Sequence, residues 1–354
     1  MVKKVNSNIN NVEVGSLLDS QFDSLLKDVF RNARKIVIVD ENTQEHCWPY
    51  LLTSFESLKD AELIVLPTGE ENKSIEVCFQ VWQALSEYQI KRGDVIINLG
   101  GGVVTDMGGF IASIYKRGLS FINIPTTLLS MVDASVGGKT GVNLSPWKNQ
   151  LGTFTLPVYT FCDPIFLKTL DDKEILSGRA EMIKHGLISD RSYYDDVMSK
   201  FDPASSELLL KGIQLKSDIV DNDPKEKGER KKLNFGHTVG HAIEGYCTKN
   251  ERKVTHGECV AWGMIIEANL SCEFYDLSKT DAEKIKNEIT DLYGIPPIQS
   301  DEVDAIVELM GQDKKNTNSK LNFTFLKEIG LSEIDGEVSS EDMKKVLQNY
   351  IRTT

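Results

Sequence analysis

Four short apolar runs, separated by helical patterns, constrain the fold of this chain more than any other feature. The runs are KIVIVD (Lys35 to Asp40), AELIVLP (Ala61 to Pro67), DVIINLGGG (Asp94 to Gly102) and LSFINIPTT (Leu119 to Thr127). Between the second and third runs, IEVCFQVWQALSEYQI (Ile75 to Ile90) carries apolar residues at helical spacing. Strands that alternate with helices form a parallel sheet covered by helices on both faces, so we predict an α/β domain here.

From about Asp171 onward the patterns are longer and purely helical. They include GRAEMIKHGLI, SSELLLKGIQLKSDIV, ECVAWGMIIEANLSCEFY and DAEKIKNEITDLYG. A chain of 354 residues is also too long for one small core. We therefore predict two domains, an α/β domain over residues 1–170 and an all-α domain over residues 171–354.

Charge and cysteine usage exclude several classes of protein. The formal net charge of −13 opposes attraction to nucleic acid and to anionic membrane surfaces. No stretch approaches the roughly 18 apolar residues of a membrane helix, and the first residues lack the apolar core of a secretory signal. The six cysteines are scattered without a CxxC pair, which indicates reduced thiols. We expect a cytoplasmic enzyme.

A glycine-rich segment, GGGVVTDMGGF (Gly100 to Phe110), follows the third apolar run and opens a helical pattern. Glycines there let the backbone approach a pyrophosphate, which free N–H groups at a helix start favour. The segment is not GxGxxG, and a tight turn without a ligand is the alternative. PTGEENKS (Pro67 to Ser74) is a candidate second wall for a cofactor. Asp40 is a candidate ribose acceptor, or simply a turn former.

A second unusual segment, IPTTLLSMVDASVGGKTGVN (Ile124 to Asn143), is followed by KNQLG. It brings together charged and polar side chains beside three glycines: Asp133, Lys139, Lys148 and Asn149. Such interleaving favours a cradle for a polyanionic substrate over an ordinary surface loop, which is the alternative.

Three of the five histidines fall within one short stretch. LNFGHTVGHAIE places His237 and His241 at i and i+4 on one helical face, and THGECVAWGM places His256 at the start of the next helix. This clustering predicts a metal site. A carboxylate ligand is available in Glu181, which lies in an apolar helical pattern, and His185 on the same face is either a ligand or a bystander.

The charged segment NDPKEKGERKK, from Asn222 to Lys232, precedes the histidines. It contains Glu226 and Arg230. The residues alone favour a solvated loop, and only its proximity to the histidine cluster argues for a role in the site.

Taken together, these motifs closely resemble the 3-dehydroquinate synthases, a family of sugar-phosphate cyclases. GGGVVTDMGGF, PTTLLSMVDASVGGKTGVN, GRAEMIKHGLI, LNFGHTVGHAIE and HGECVAWGM occur in the family's order, and the resemblance runs from about Asp40 to Lys315. It implies an N-terminal Rossmann-like NAD domain, a helical C-terminal domain, an active site between them and a homodimer. The segment LSPWKN departs from the family, because the usual histidine and proline are missing before Lys148.

The resemblance also implies a role for each matching residue. The metal ligands, commonly around Zn²⁺ or Co²⁺, are Glu181, His237 and His256, whereas His241 serves substrate and proton chemistry. Cofactor contacts fall on Asp40, Thr68, Gly69, Glu70, Glu71, Asn72, Lys73, Gly102, Val103, Val104, Thr105, Asp106, Thr126, Thr127, Lys139, Lys148, Phe166, Leu167, Lys168 and Thr169. Substrate contacts fall on Arg117, Asp133, Lys139, Asn149, Lys184, Lys216, Arg230, Asn234 and His241. The catalytic set is Lys139, Lys184, Arg230, Asn234, His241 and Glu226, and either Lys314 or Lys315 completes the phosphate site.

The implied reaction is the conversion of 3-deoxy-D-arabino-heptulosonate 7-phosphate to 3-dehydroquinate and phosphate, a phosphorus–oxygen lyase step of the shikimate pathway. NAD is reduced and reoxidised within one turnover, so no net redox occurs. One alternative is a sister sugar-phosphate cyclase. Another is a metal-dependent alcohol dehydrogenase of the glycerol dehydrogenase type, which would release NADH. A non-catalytic NAD-sensing protein is a third, but it would be expected to lack a ligand or a lysine of the site.

Overall fold

A computed structural model of the chain describes residues 2–144, 147–311 and 320–353. The chain divides into two compact units. The first comprises Met1–Ile175 with Asp202–Asp221, and the second comprises Leu176–Phe201 with Asn222–Thr354. Residues 202–221 therefore cluster with the first unit. The assignment of cofactor binding to residues 1–170 and of metal and substrate binding to residues 171–354 stays a prediction.

The first unit is built on a seven-stranded sheet. Its strands are β1 (Lys3–Lys4), β2 (Val12–Val14), β3 (Lys35–Asp40), β4 (Glu62–Leu66), β5 (Val95–Gly100), β6 (Ser120–Pro125) and β9 (Tyr159–Cys162). Their order across the sheet is β1-β2-β9-β6-β5-β3-β4. Neighbouring strands pair in parallel except at the β1 edge, which is antiparallel to β2. The four apolar runs are β3, β4, β5 and β6, which confirms the predicted parallel sheet.

Helices connect these strands. The helices of this unit are α1 (Phe22–Ser24), α2 (Glu41–His46), α3 (Trp48–Ser54), α4 (Ile75–Glu87), α5 (Gly102–Ile114) and α8 (Ser206–Asn222, of which the last residue falls in the second unit). The predicted helix from Ile75 is α4. Its buried face carries Cys78, Val81 and Leu85, which join the core formed with the strands and α5.

The central position of β5 in the sheet explains why its sequence is a continuous apolar run. All six residues of β5 are buried, and β5 lies between β3 and β6. The chain passes outward from β3 to β4 and then returns to place β5 on the other side of β3. The strand order therefore reverses between β3 and β5, and at such a point the carboxyl ends of the strands leave a crevice for ligands.

The segment predicted as a substrate cradle contains secondary structure that the sequence patterns did not predict. β7 (Lys139–Leu144) and β8 (Trp147–Phe154) form an antiparallel hairpin, and β7 packs against α5. Within it, Thr140 bonds to Thr153 at 2.8 Å between their hydroxyls. The segment is therefore a packed element rather than a plain loop.

The second unit is mainly helical, as predicted. Its helices are α6 (Asp172–Ser189, which enters the unit at Leu176), α7 (Arg191–Ser199), α9 (His237–Lys249), α10 (His256–Phe274), α11 (Lys279–Tyr293), α12 (Val303–Gly311) and α13 (Ser340–Thr353). The unit also contains an antiparallel hairpin of β10 (Lys320–Glu328) and β11 (Leu331–Ser339), which the patterns did not predict. No helix in the described ranges is long and apolar enough to cross a membrane.

Glycines allow α10 to approach two other helices closely. A Cβ on Gly263 would lie 2.0 Å from the carbonyl oxygen of Gly236, directly before α9. A Cβ on Gly257 would lie 2.3 Å from the Cα of Ser177 on α6. Real side chains do not tolerate such distances, so only glycine allows this packing, which brings the starts of α9 and α10 together with α6.

The cysteines behave as expected for structural thiols. Five of the six are buried, and none of the six forms a disulfide. Burial, reinforced by a nearby acidic residue in each case, raises the pKa of the Cys47 and Cys78 thiols to about 12, so both stay protonated at neutral pH.

Candidate metal centre and cofactor-binding edge

Glu181 is the centre of a cluster in the second unit. Its side chain is fully buried on α6, where an isolated carboxylate would be costly. Lys184, one turn further on, forms an ion pair with Oε2. Oε1 lies 3.4 Å from Nε2 of His237 and 3.6 Å from Nε2 of His256. One carboxylate oxygen thus faces two imidazoles from two different helices.

The three clustered histidines converge as the spacing predicts. His237 opens α9, His241 follows one turn later, and His256 opens α10. The ring centroids of His237 and His241 are 5.0 Å apart, and His256 lies 5.5 Å and 5.7 Å from them. One ring nitrogen from each lies within 4.8 Å of the others.

These residues fit a divalent metal. Oε2 of Glu181 is in the ion pair with Lys184, whereas Oε1 faces the two imidazole nitrogens and is available as a ligand. The second nitrogen of each candidate imidazole ligand faces an oxygen: Nδ1 of His237 lies 3.3 Å from the carbonyl of Phe235, and Nδ1 of His256 lies 3.4 Å from Oε2 of Glu244. Metal-bound histidines usually have such a partner, which fixes the ring orientation. The third ligand beside His237 and His256 is either Glu181 or His241.

The charges of the cluster are mutually dependent. Burial alone would raise the pKa of Glu181, but Lys184 and His237 outweigh it and hold this pKa well below its usual range. Burial and the Lys184 ammonium lower the pKa of His237. Glu181 and Glu244 overcome the effect of burial on His256 and raise its pKa to about 9. The carboxylate is therefore ionised at neutral pH, as a metal ligand must be, whereas His256 holds a proton that a metal has to displace.

Replacing Glu244 by alanine is expected to weaken Zn²⁺ binding about 10-fold to 100-fold, because His256 loses the oxygen that orients its ring. Competition with a chelating dye measures the affinity. Glu273→Ala, which removes an exposed carboxylate from the same helix α10, is the matched control. Equal Zn²⁺ affinities for the two variants would contradict this role of Glu244.

The charged segment before α9 is more ordered than its sequence indicates. Arg230 is buried and donates through Nη1 to the carbonyl of Pro224 at 2.8 Å. Asn234 donates to Oε1 of Glu226 at 3.0 Å. The interpretation as a solvated loop is wrong for Arg230, because a buried guanidinium is not a solvated charge. His185 is also buried, on α6 one turn after Glu181.

In the first unit, the predicted cofactor segments meet at one edge of the sheet. Asp40 ends β3, Thr68 to Lys73 follow β4, Gly102 to Asp106 follow β5, Thr126 and Thr127 follow β6, and Phe166 to Thr169 follow β9. These five strands are adjacent and parallel, so their carboxyl ends lie along the same edge. This is the edge at which open α/β sheets bind ligands.

The turn from β5 into α5 leaves little room for side chains. A Cβ on Gly101 would lie 2.9 Å from Cγ2 of Thr127, while one on Gly102 would meet nothing closer than 3.5 Å. The first N–H groups of α5 follow directly, as an anion site at a helix start requires.

Asp40 caps α2, since its Oδ1 accepts from the backbone and hydroxyl of Thr43, both at 2.8 Å. Asp40 therefore has a local structural role at the start of α2, and its ribose contact stays a prediction.

Within the first unit, two lysines form hydrogen bonds with other residues of the predicted site. Lys73 is buried and donates to Asp106 and to Asn149, both at 2.7 Å. Lys216 on α8 donates to Oδ1 of Asp133 at 2.7 Å and to its carbonyl at 2.6 Å. The cofactor segment after β4 is thereby joined to the β7–β8 hairpin, and α8 to the segment before that hairpin.

Other residues of the predicted site lie elsewhere in the structure than the hydrogen bonds of Lys73 and Lys216. Arg117 follows the far end of α5, which at 13 residues is about 20 Å long. Lys139 is exposed and pairs with Phe154, five positions along β8 from Asn149. Phe166 and Leu167 are buried, with the Phe166 ring against Tyr50. Lys314 and Lys315 lie outside the described residues.

Two acidic residues near the cluster were missed by the sequence reasoning. Glu244 lies one turn after His241 on α9 and reaches His256, and Glu267 on α10 is fully buried and contacts the start of α9. The only available signal was a charged residue within an apolar helical pattern, the signal that selected Glu181.

The fold of this chain, a mainly parallel sheet in one unit and a mainly helical second unit, is shared with solved sugar-phosphate cyclases. The structure of a 2-deoxy-scyllo-inosose synthase superposes with a TM-score of 0.83 at 22% identity, covering 99% of both chains. A 2-epi-5-epi-valiolone synthase from Streptomyces hygroscopicus subsp. jinggangensis, solved with NAD⁺ and Zn²⁺ bound, gives 0.80 at 24% identity, covering 99% of this chain and 98% of that one.

Sequence comparison is more specific. Family models match residues 63–177 as the N-terminal domain and residues 178–316 as the C-terminal domain of 3-dehydroquinate synthase. The chain is 41% identical over 320 residues to the 3-dehydroquinate synthase of Parabacteroides distasonis, covering 89% of this chain and 90% of the relative. It is 36% identical over 359 residues to that of Campylobacter jejuni subsp. doylei, covering 98% of each. The chain belongs to the 3-dehydroquinate synthase family and is an enzyme of the sugar-phosphate cyclase group.

Proposed function

We propose that this enzyme converts 3-deoxy-D-arabino-heptulosonate 7-phosphate to 3-dehydroquinate and phosphate, with NAD and a divalent metal, Zn²⁺ or Co²⁺, as cofactors. Family membership supports the reaction. The observation that carries it in the structure is the buried Glu181 carboxylate, with one oxygen 3.4 Å and 3.6 Å from the imidazoles of His237 and His256.

Both cofactors have suitable residues. Glu181, His237 and His256 would hold the metal, and the segments at the carboxyl ends of β3 to β6 would hold NAD. When bound, the metal supplies polarisation of a hydroxyl or carbonyl oxygen, and NAD supplies reversible hydride acceptance. A carboxylate and two imidazoles form a usual donor set for a catalytic Zn²⁺ site.

The chain's own residues would bind and orient the anionic groups of the substrate. Lys184 and Arg230 are buried cations of the second unit, while Lys216 is a buried cation of the first. Lysine and arginine bind phosphate and carboxylate oxygens through charge-assisted hydrogen bonds, so each of these cations is a candidate anion ligand within its own unit. His241 would hold or transfer a proton, because a neutral imidazole can accept and donate near neutral pH. Asn234, held by Glu226, would orient a substrate oxygen.

Replacing Lys139 by alanine is expected to lower kcat/KM about 10-fold to 100-fold, because a charge-assisted hydrogen bond to an anion is lost. The unfolding midpoint should stay within a degree or so, since the side chain is exposed. Steady-state phosphate release measures the first quantity and thermal denaturation the second. Lys320→Ala, an exposed lysine at the start of another strand, is the control. Equal kinetic constants for both variants would remove Lys139 from the site.

The reaction itself is tested with the purified protein, the heptulosonate phosphate, NAD and Zn²⁺. Phosphate and 3-dehydroquinate should appear in equal amounts, without growth of NADH absorbance. Steady NADH formation would instead support the alcohol dehydrogenase alternative. Turnover of only sedoheptulose 7-phosphate or glucose 6-phosphate would indicate a sister cyclase, and absence of any turnover would contradict an enzymatic role.

We further propose a cytoplasmic homodimer that binds neither nucleic acid nor membranes. The family resemblance supports the dimer, and so do large apolar side chains exposed on the first unit: Ile114 at the end of α5, and Trp147 and Phe154 on β8. Sedimentation at micromolar concentration distinguishes a dimer from a monomer, and a single species of 39.6 kDa would refute it.

A further inference from the structure

Glu267 on α10 is a buried acid that the proposed mechanism does not use. Its side chain is fully buried, and its carboxylate faces the first turn of α9. Gly236 donates its N–H to Oε2 at 2.7 Å, and Val239 donates its N–H to Oε1 at 3.1 Å. The N–H of Thr238 also bonds to this carboxylate. Each oxygen therefore accepts from the backbone on a different side of His237.

The sequence of α9 explains why this cap comes from another helix. The residue before α9 is Gly236, whose φ of +79° and missing side chain prevent it from capping its own helix. The first N–H groups of a helix nonetheless need acceptors, and Gly236 and Val239 are buried, so their N–H groups depend on an acceptor from the protein. Gly263, one turn before Glu267, lets α10 approach the carbonyl of Gly236 closely. Glu267 thus takes the place of the missing N-cap side chain.

The capped turn carries a candidate metal ligand at its first position. The Nδ1 of His237 faces the carbonyl of Phe235 at 3.3 Å, and the backbone on both sides of this residue is bonded to Glu267. A shift of this turn would move the His237 imidazole away from Glu181, and would move His241 with it.

We propose that Glu267 is a positioning residue of the metal centre, which acts through the backbone of residues 236–239 to hold His237 in ligating geometry. This assignment rests on the proposed function, because it presumes that His237 binds a metal. It assigns Glu267 no contact with substrate, cofactor or metal.

Glu267→Gln is the test variant, because an amide has one acceptor oxygen and presents an NH₂ group to an N–H donor on its other side. Glu267→Asp keeps both acceptors on a shorter side chain. Ser278→Ala is the matched control: Ser278 accepts from Asp281 at 3.0 Å as the cap of α11, a helix of the same unit without a predicted ligand. All three variants lose all or part of a helix cap, but only those at Glu267 disturb the start of α9.

The experiment measures the Co²⁺ affinity of each variant by competition with a chelator, and the visible absorption spectrum of the Co²⁺-loaded protein. The thermal unfolding midpoint of each metal-free variant is measured as well. We expect Glu267→Gln to weaken Co²⁺ binding 10-fold to 100-fold and to alter the spectrum, Glu267→Asp to give an intermediate affinity, and Ser278→Ala to lower only the midpoint. If Glu267→Gln does not fold, the aspartate variant decides alone.

Co²⁺ affinities of the Glu267 variants within twofold of the unsubstituted protein would overturn the assignment. So would an equal loss of Co²⁺ affinity in Ser278→Ala, since the effect would then be general to the unit. If the unsubstituted protein binds no Co²⁺, the proposed function and this assignment fail together. If it binds Co²⁺ and releases phosphate while the Glu267 variants match it, only this assignment fails.

Discussion

Replacing His237 by alanine should lower turnover about 1000-fold or more, together with loss of bound metal. The imidazole lies 3.4 Å from Glu181 and opens α9, and its removal leaves at most two of the predicted ligands. Polarisation of a reacting oxygen by a metal is worth several kcal/mol, and about 4 kcal/mol corresponds to a factor of about 1000 in rate. Phosphate release gives kcat, and elemental analysis after gel filtration gives the metal content.

His46→Ala is the control for this prediction. His46 is an exposed histidine at the end of α2, in the unit without the cluster, so the same chemical change there should leave both quantities unaltered. A His237 variant with full metal content, or with turnover within tenfold of the unsubstituted enzyme, would contradict its role as a ligand.

The sheet could be predicted because the burial of each strand determines the composition of that strand's own sequence. Parallel strands buried on both faces must be apolar throughout, and β5 satisfies this along its whole length. The β7–β8 and β10–β11 hairpins were missed for a complementary reason. Much of β8 is exposed, its residues have no strict apolar alternation, and its pairing with β7 is set by contacts with α5 that periodicity does not report.

The residues of the site divide in the same way. Some are brought together by their spacing in the sequence, and others only by the packing of helices against one another. His237 and His241 are one turn apart on one helix, so their proximity follows from helical geometry alone. Glu244 and Glu267 act across helices, and their partners depend on the close approach of α10 that Gly263 permits. The residues alone favoured a solvated loop for Arg230, because charged residues surround it in the sequence, whereas the fold buries it; the site role that the resemblance implies for Arg230 stays a prediction.

The identity of the third metal ligand also depends on distances that spacing cannot give. Helical spacing favours His241, and the three imidazoles do converge within 4.8 Å. Family resemblance favours Glu181, which is fully buried and presents Oε1 to the imidazoles of His237 and His256. A buried carboxylate compensates the charge of a divalent ion, whereas three neutral imidazoles do not.

Replacing His241 by alanine should therefore separate catalysis from metal binding. We expect turnover to fall about 100-fold to 10,000-fold, the usual contribution of a general acid or base, while the metal content stays near one per chain. Phosphate release and elemental analysis measure the two quantities on the same preparation. Glu181→Gln is the companion variant, and it should lose metal because a neutral amide is a poor replacement for a carboxylate ligand.

The two variants give opposite results under the two ligand sets. If Glu181 is the ligand, Glu181→Gln loses the metal and His241→Ala keeps it. If His241→Ala instead loses the metal as fully as His237→Ala does, the ion is held by three imidazoles. The carboxylate would then have to be explained by its ion pair with Lys184 alone, and the proton role assigned to His241 would be wrong.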